Sequence, residues 1–304
     1  MRVIFLGSGG SLPTPRRNLP SVCLLREGEM MLFDCGEGTQ TQIMRKGVGF
    51  GRLTRIFISH IHGDHLSGLI GLLMTLTLLG HEHSITIYGP PEVEDFIESL
   101  KRTIRLRCDF GLRFEAVKPG VFVEEKEYTI EAAEVNHSVP TYAFALRERV
   151  RPGRFNLEKA KELGIPEGPL FSRLQQGESI TLESGRVVEP GEILGPARPG
   201  RGVVYVTDTL YTPSLADFCR GADLLMHEGM FTDEMEEEAR YRKHCTASQA
   251  ATLARAAEVK RLVLIHISPR YWRRKELRDE ARRVFPDTDV AKDLMEIEVP
   301  YPPE

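Results

Sequence analysis

At 304 residues the chain can hold one large domain or two ordinary ones. Its 41% apolar and 28% charged residues exclude a disordered chain and fit a soluble globular one, and no apolar run approaches the ~20 residues of a membrane helix. A net charge of -4 gives no global electrostatic case for nucleic acid, although local basic runs can supply phosphate contacts.

The opening "MRVIFLGSGGSLPTPRRN" reads as a first β-strand and its turn, because a signal peptide needs a longer apolar core and a cleavage site. A cytoplasmic protein is the expectation. Further β-branched runs follow in chain order: "SVCLL", "MMLFDCG", "RIFIS", "SITIYG", "YTIEAAEV", "TYAFAL", "GVVYVTD", "RLVLIHI" and "LMEIEVP". Between several of them lie amphipathic segments that predict helices: "GEGTQTQIMRKG", "HLSGLIGLLMTLTLLG", "PPEVEDFIESLKRTI" and "TASQAATLARAAEV". Strands mixed with helices, several of them adjacent in sequence, predict sheet packed on sheet with helices outside.

One stretch breaks this rhythm. From Arg151 to about Gly202 the chain is rich in Pro and Gly, with one short helical segment ("NLEKAKELG") and one hairpin pattern ("SITLESGRVV"). A long insert of this kind inside a compact domain is usually functional or mobile, and it reads as a flexible arm on a single domain covering residues 1–304. The five cysteines are odd in number and widely spaced, which argues against a disulfide framework or a thiolate metal site. Three basic runs, 101–108, 147–154 and 270–278, are either phosphate contacts or solvated faces.

The chemistry concentrates in "SHIHGDHLSG". On a strand, His60 and His62 share a face, while Asp64 and His65 fall at the turn into the next helix. Four ligand-type groups can then surround two neighbouring ions. Imidazole and carboxylate without thiolate suit Zn²⁺, with Mn²⁺ as the alternative. Two ions need more donors, and His137, Asp208 and His266 each end a β-branched run. Asp208 is the natural bridge, since a carboxylate has two oxygens to share.

"HIHGDH" with the downstream His, Asp and His resembles the metallo-β-lactamase superfamily. "FLGSGGSLPTPRRN", "FDCGEGTQTQIMR", "HEGMF", "HCTASQAA" and "LIHISPRY" narrow the resemblance to ribonuclease Z, the endonucleases that remove the 3′ trailer from precursor tRNA. This resemblance implies an αββα sandwich and two Zn²⁺ per subunit: His60, His62 and His137 on one, Asp64, His65 and His266 on the other, with Asp208 bridging. It implies that a water shared by the ions, its pKa lowered to about 7, attacks the phosphodiester as hydroxide and leaves a 3′-hydroxyl on the tRNA. Asp64 is then either a ligand alone or also the general base. His244 becomes the proton donor, oriented by Glu228, and Asp34 orients a metal-bound histidine.

The arm becomes an exosite shaped by Gly168 and Pro169, with Arg151, Arg154, Lys159, Lys161 and Arg173 as phosphate contacts. A homodimer is expected, each arm serving the partner's site. Two departures stand out. Thr207-Asp208-Thr209-Leu210 lacks the family's usual Arg at the fourth position, and His227-Glu228-Gly229-Met230 replaces its His-Glu-Ala-Thr. The rival readings are a phosphodiesterase or arylsulfatase acting on small esters, and a non-catalytic RNA-binding protein.

Overall fold

In the computed structural model, which describes residues 1–302, the β-branched runs become strands. In chain order they are β1 (Arg2–Gly7), β2 (Ser21–Arg26), β3 (Glu29–Phe33), β4 (Leu53–Phe57), β5 (Ile85–Gly89), β6 (Leu112–Ala116), β7 (Gly120–Glu124) and β8 (Tyr128–Val135). There follow β9 (Thr141–Glu148), β10 (Ile180–Thr181), β11 (Val187–Val188), β12 (Gly202–Val206), β13 (Leu224–Glu228), β14 (Leu262–Ile265), β15 (Thr288–Val290) and β16 (Met295–Glu298). One seven-stranded sheet is ordered β16-β1-β2-β3-β4-β5-β6 and the other β15-β14-β13-β12-β9-β8-β7, while β10 pairs only with β11.

Neighbours from β3 to β6 are parallel, and so are those from β12 to β15. Parallel strands need crossover connections, and helices supply them. Helices Thr39–Lys46, Gly68–Leu78 and Glu92–Thr103 serve the first sheet, and Leu215–Cys219, Ala247–Ala256 and Lys275–Val284 the second.

Alternation along each strand sorts side chains into layers. In β3, Met30 and Leu32 join Leu69, Leu72, Leu73 and Leu76 in a core under the first helix layer. Phe33 turns to the opposite face. Its ring stacks on Phe57 at 5.2 Å and on Tyr205 at 5.6 Å, and it meets Phe144 at 6.2 Å. Tyr205 and Phe144 belong to the second sheet, so this aromatic layer joins the two. On the far side Val204, Val206, Leu225 and Leu264 pack under Ala250, Ala251 and Ala254. The architecture is the expected αββα sandwich. Truncating a buried Phe of the middle layer to Ala costs about 3–5 kcal/mol.

Contacts divide the chain into two compact units. One comprises Met1–Glu125, Thr129–Leu146 and Gly202–Pro300 and holds the sandwich. The other comprises Lys126–Tyr128, Arg147–Arg201 and, among the described residues at the C-terminus, Tyr301 and Pro302. This second unit holds helix Leu157–Glu162, capped by the Asn156 side chain, helix Pro169–Gln175, helix Pro190–Ile193 and the β10–β11 hairpin. It also has a hydrophobic cluster of its own, Ala160, Ile165, Leu174, Ile180, Val188 and Ile193, at spacings too irregular to read as a helix or strand face. The Tyr301 ring lies between the guanidiniums of Arg151 at 3.4 Å and Arg201 at 3.6 Å.

Candidate metal centre

The site sits beyond the C-terminal ends of parallel strands from both sheets. Asp34 follows β3, His60 and His62 follow β4, Asp208 follows β12, Glu228 ends β13, and His266 follows β14. His137 follows the antiparallel-paired β8. The chain differs from expectation at β4, which ends at Phe57, so His60 and His62 lie in the loop beyond it and not on the strand. The segment expected as one helix from His65 is two, Gly63–Leu66 and Gly68–Leu78, and Asp64 and His65 ride on the first.

The donors gather into two sets. His60 Nε2 lies 3.0 Å from His62 Nδ1, and His137 Nε2 lies 3.3 Å from that same nitrogen. Asp208 Oδ2 stands 3.7 Å from both His60 Nε2 and His137 Nε2. The second set brings His65 Nε2 to 3.3 Å from His266 Nε2, with Asp64 Oδ2 at 3.5 Å and 3.4 Å from them. Asp208 Oδ1 completes it, 3.5 Å from His65 and 3.1 Å from His266. Ligands about 2.0–2.1 Å from a tetrahedral zinc stand roughly 3.3 Å apart, close to these spacings. The two oxygens of Asp208 thus face different sets. Within each set imidazole nitrogens confront one another, an arrangement that a divalent cation satisfies better than hydrogen bonds among themselves.

The opposite ring nitrogens of His60, His65 and His137 are anchored. His60 Nδ1 meets Ser59 Oγ at 2.9 Å, and His137 Nδ1 meets the Lys243 carbonyl at 3.2 Å. His65 Nδ1 lies 2.7 Å from Asp34 Oδ2, which also accepts from the Tyr205 hydroxyl at 2.7 Å and from Ser59 Oγ at 2.9 Å. Asp34 Oδ1 accepts from the Ser59 N–H at 2.7 Å. Such partners fix ring orientation and leave Nε2 to point inward. Asp34 and His266 both have positive φ, +56° and +53°, a conformation rare outside Gly and one that clusters at functional sites.

Burial, reinforced by the neighbouring His65 charge, holds His60 well below the usual imidazole range, and burial lowers His62 and His137 too. Neutral rings present the lone pairs a cation needs. Burial opposes ionisation of Asp208, yet the charges of His266 and His65 hold it well below the carboxylate range. Burial would lower His65, but the Asp208 and Asp34 charges lift it well above its ordinary value. A cation at Nε2 reverses that balance.

Beside these sets, Glu228 is fully buried. Its Oε1 accepts from His244 Nδ1 at 2.9 Å and from the Thr209 N–H at 2.7 Å, and its Oε2 from the Cys245 N–H at 3.1 Å. Burial pulls the His244 pKa down, but the Glu228 charge and hydrogen bond outweigh it and raise the group to about 9. His244 therefore holds its proton at neutral pH. Ser59, Tyr205, Ser11 and Thr209 were not signalled by any sequence pattern. The Ser11 N–H donates to Asp64 Oδ2 at 2.8 Å.

A cleft of about 580 Å³ opens over the donors, lined by Asp64, His62, His137, Asp208 and His244, with Tyr241 and Lys243 also lining it. Where the family's Arg would stand, the Leu210 N–H donates to the Asn136 carbonyl at 2.8 Å, a contact independent of the side chain. Met230 is buried at 4% exposure. In the second unit Arg154, Lys159, Lys161, Gly168 and Pro169 are exposed, and Gly168 has φ +135°. Arg173 is engaged by Glu178 at 2.9 Å, and Arg151 is half-buried on Tyr301.

A family model described as "Beta-lactamase superfamily domain" matches residues 176–267, and one described as "Anti-Pycsar protein Apyc1" matches residues 1–150. A protein of Methanosarcina acetivorans named Ribonuclease Z is 47% identical over 305 residues, covering 100% of both chains. The chain belongs to the ribonuclease Z family. A Ribonuclease Z of Trichodesmium erythraeum is 42% identical, covering 99% of this chain and 96% of its own. The crystal structure of human tRNase Z, short form, superposes with a TM-score of 0.72 at 28% identity, covering 99% of this chain and 100% of that one. YhfI of Bacillus subtilis, titled a metallo-beta-lactamase fold protein, shares the fold with a TM-score of 0.70 at 21% identity, covering 98% and 99%. As a ribonuclease Z family member, this chain is a metal-dependent endoribonuclease of the metallo-β-lactamase fold.

Proposed function

We propose that the chain removes the 3′ trailer from precursor tRNA using two Zn²⁺ ions. His60, His62 and His137 would hold one and Asp64, His65 and His266 the other, with Asp208 offering one oxygen to each. The observation that carries this reading is the placement of the two Asp208 oxygens against two separate imidazole sets. Full-length similarity to proteins named Ribonuclease Z selects RNA as substrate over small esters.

When bound, the ions would supply Lewis acidity toward water and the scissile phosphate. The chain's own groups do the rest. Asp64, fixed by the Ser11 N–H, would ligate a metal and also accept the proton of the attacking water. His244 lines the cleft and is protonated at neutral pH, so it gives its proton to the departing ribose 3′-oxygen. Glu228 holds that ring in place through Nδ1.

The unit built on 147–201 is the tRNA-binding arm, an exosite inserted into the single domain at about 151–202, with Arg154, Lys159 and Lys161 facing phosphate. The homodimer is supported by exposed apolar side chains on two packed helices, Met44 on one and Met74 and Leu78 on the other. No helix among the described residues is long and apolar enough to cross a membrane, and the substrate points to the cytoplasm.

The test is cleavage of a defined precursor tRNA with the cut site mapped, comparing the native chain with His62→Ala. Cleavage by the native chain at the 3′ end of the acceptor stem, lost in His62→Ala with metal content reduced, is the expected result. Equal turnover by a folded His62→Ala variant would end the dinuclear reading.

A further inference from the structure

The chain has one tryptophan, and it is exposed. Trp272 is 69% accessible, and the Arg16 guanidinium lies over its ring at 3.8 Å from the centroid. Single exposed apolar residues need no explanation, but this one has three unusual features together. Its cation–π partner comes from a loop more than 250 positions earlier in the chain, so two loops converge to build the pair. Both loops are tied to the metal centre. The first carries Ser11, whose N–H reaches Asp64, and Gly10, whose N–H donates to the Ile267 carbonyl at 3.1 Å. The second begins just after His266, and Tyr271 anchors it through its hydroxyl, which accepts from the Thr232 N–H at 2.9 Å.

The third feature is charge. Arg16 is exposed over the indole, and Arg270 and Arg273, two and one positions from Trp272 in the chain, are exposed as well. Arg270 stands 3.8 Å from Glu238, a carboxylate it shares with Arg242, while the Arg16 guanidinium has no ion pair among the described residues. Arg274, by contrast, is structural, donating to the Val290 carbonyl at 3.1 Å. An aromatic face flanked by guanidiniums is the arrangement that binds unpaired nucleotides, the ring stacking a base and the cations following the backbone.

We propose that Trp272, held by Arg16, is a stacking platform for an unpaired base next to the scissile phosphate and so a positioning residue for substrate. The proposal rests on the RNA-cleaving reading above. An unpaired base is available on either side of the cut, in the trailer or at the 3′ end of the tRNA itself. Stacking on one side holds the phosphate in register with the donors while the duplex stem is held elsewhere.

Because Trp272 is the single tryptophan, its fluorescence reports on the site directly. The native, metal-loaded chain is titrated with a 5′-phosphorylated trailer oligonucleotide, and separately with a trailer-free tRNA bearing an unpaired 3′ end. Quenching by the first places the trailer on the indole, and quenching by the second places the tRNA end there. An abasic nucleotide at the stacked position restores the signal. In parallel, Trp272→Ala raises KM for the precursor about tenfold, with the loss on KM rather than kcat, and Trp272→Phe recovers most of it. No quenching by either RNA, or an unchanged KM in Trp272→Ala, would overturn the proposal. Absence of precursor cleavage by the native chain would instead strike the reading on which it rests.

Discussion

Gly10 lies directly against the imidazole of His266. A Cβ at residue 10 would stand 2.3 Å from Cε1 and 2.5 Å from both ring nitrogens, closer than real Cβ contacts come. The backbone on both sides is pinned, because the Gly10 N–H donates to the Ile267 carbonyl and the Ile267 N–H to the Ser8 carbonyl, each at 3.1 Å. The ring must therefore move if the glycine gains a side chain. Gly10→Ala is expected to reduce occupancy of the set containing Asp64, His65 and His266 and to cut kcat by about a hundredfold, the scale of a displacement near 1 Å. Metal content and turnover on the same preparation check it, with circular dichroism showing the fold retained.

Asp34 acts on the centre through His65. An Asn whose oxygen takes the Oδ1 position keeps an acceptor for the Ser59 N–H, but it puts an NH2 where Oδ2 now accepts from His65 Nδ1, the Tyr205 hydroxyl and Ser59 Oγ. The ring then carries its proton on the nitrogen that should face the cation. Asp34→Asn should weaken metal affinity by about 10–100-fold, read by competition with a chelating dye. Affinity equal to that of the native chain would show that His65 needs no partner.

Glu228 sets the protonation of His244. The raised value of about 9 means that His244, the proposed proton donor, remains charged through neutral pH and loses its proton only as pH climbs toward 9. Glu228→Gln removes the charge that opposes burial, so the pKa falls. The alkaline limb of the kcat profile should then shift to lower pH, while the acid limb stays in place. An unshifted alkaline limb would mean that His244 is not the group titrating there.

The unit around 147–201 has a cluster of its own, so replacing 152–200 by a short Gly-Ser link should leave the sandwich folded. Precursor tRNA cleavage is expected to fall by at least tenfold through KM, with hydrolysis of bis(p-nitrophenyl) phosphate retained. Loss of both activities together would count against a separate tRNA-binding role.

Much of this was legible from residues alone. The strand ends bearing His137, Asp208 and His266 follow β-branched runs, and a cluster of three imidazoles and a carboxylate within six positions has few other uses. The strand that delivers Glu228 was not legible. β13 is "LLMHE", built of Leu and Met that favour helices as much as strands and followed by the acidic, helix-like "TDEMEEEARYR". β6 ("LRFEA") and β7 ("GVFVE") escaped because each is a five-residue edge strand with at most one buried residue, too short and too exposed to show a buried apolar run. No local pattern announces Tyr205 as the partner of Asp34 across 171 positions, because that contact exists only once the aromatic layer joins the sheets.

The two donor sets also fix when this nuclease becomes dangerous. His60 and His62 wait for His137 and Asp208, and Asp64 and His65 wait for His266, so each set is closed by residues synthesised long after it begins. A nascent chain that stops before residue 266 can close the first set but not the second. On the proposed two-ion reading, cutting power arrives with the last strands, and an unfinished copy released into a pool of RNA is an unarmed one.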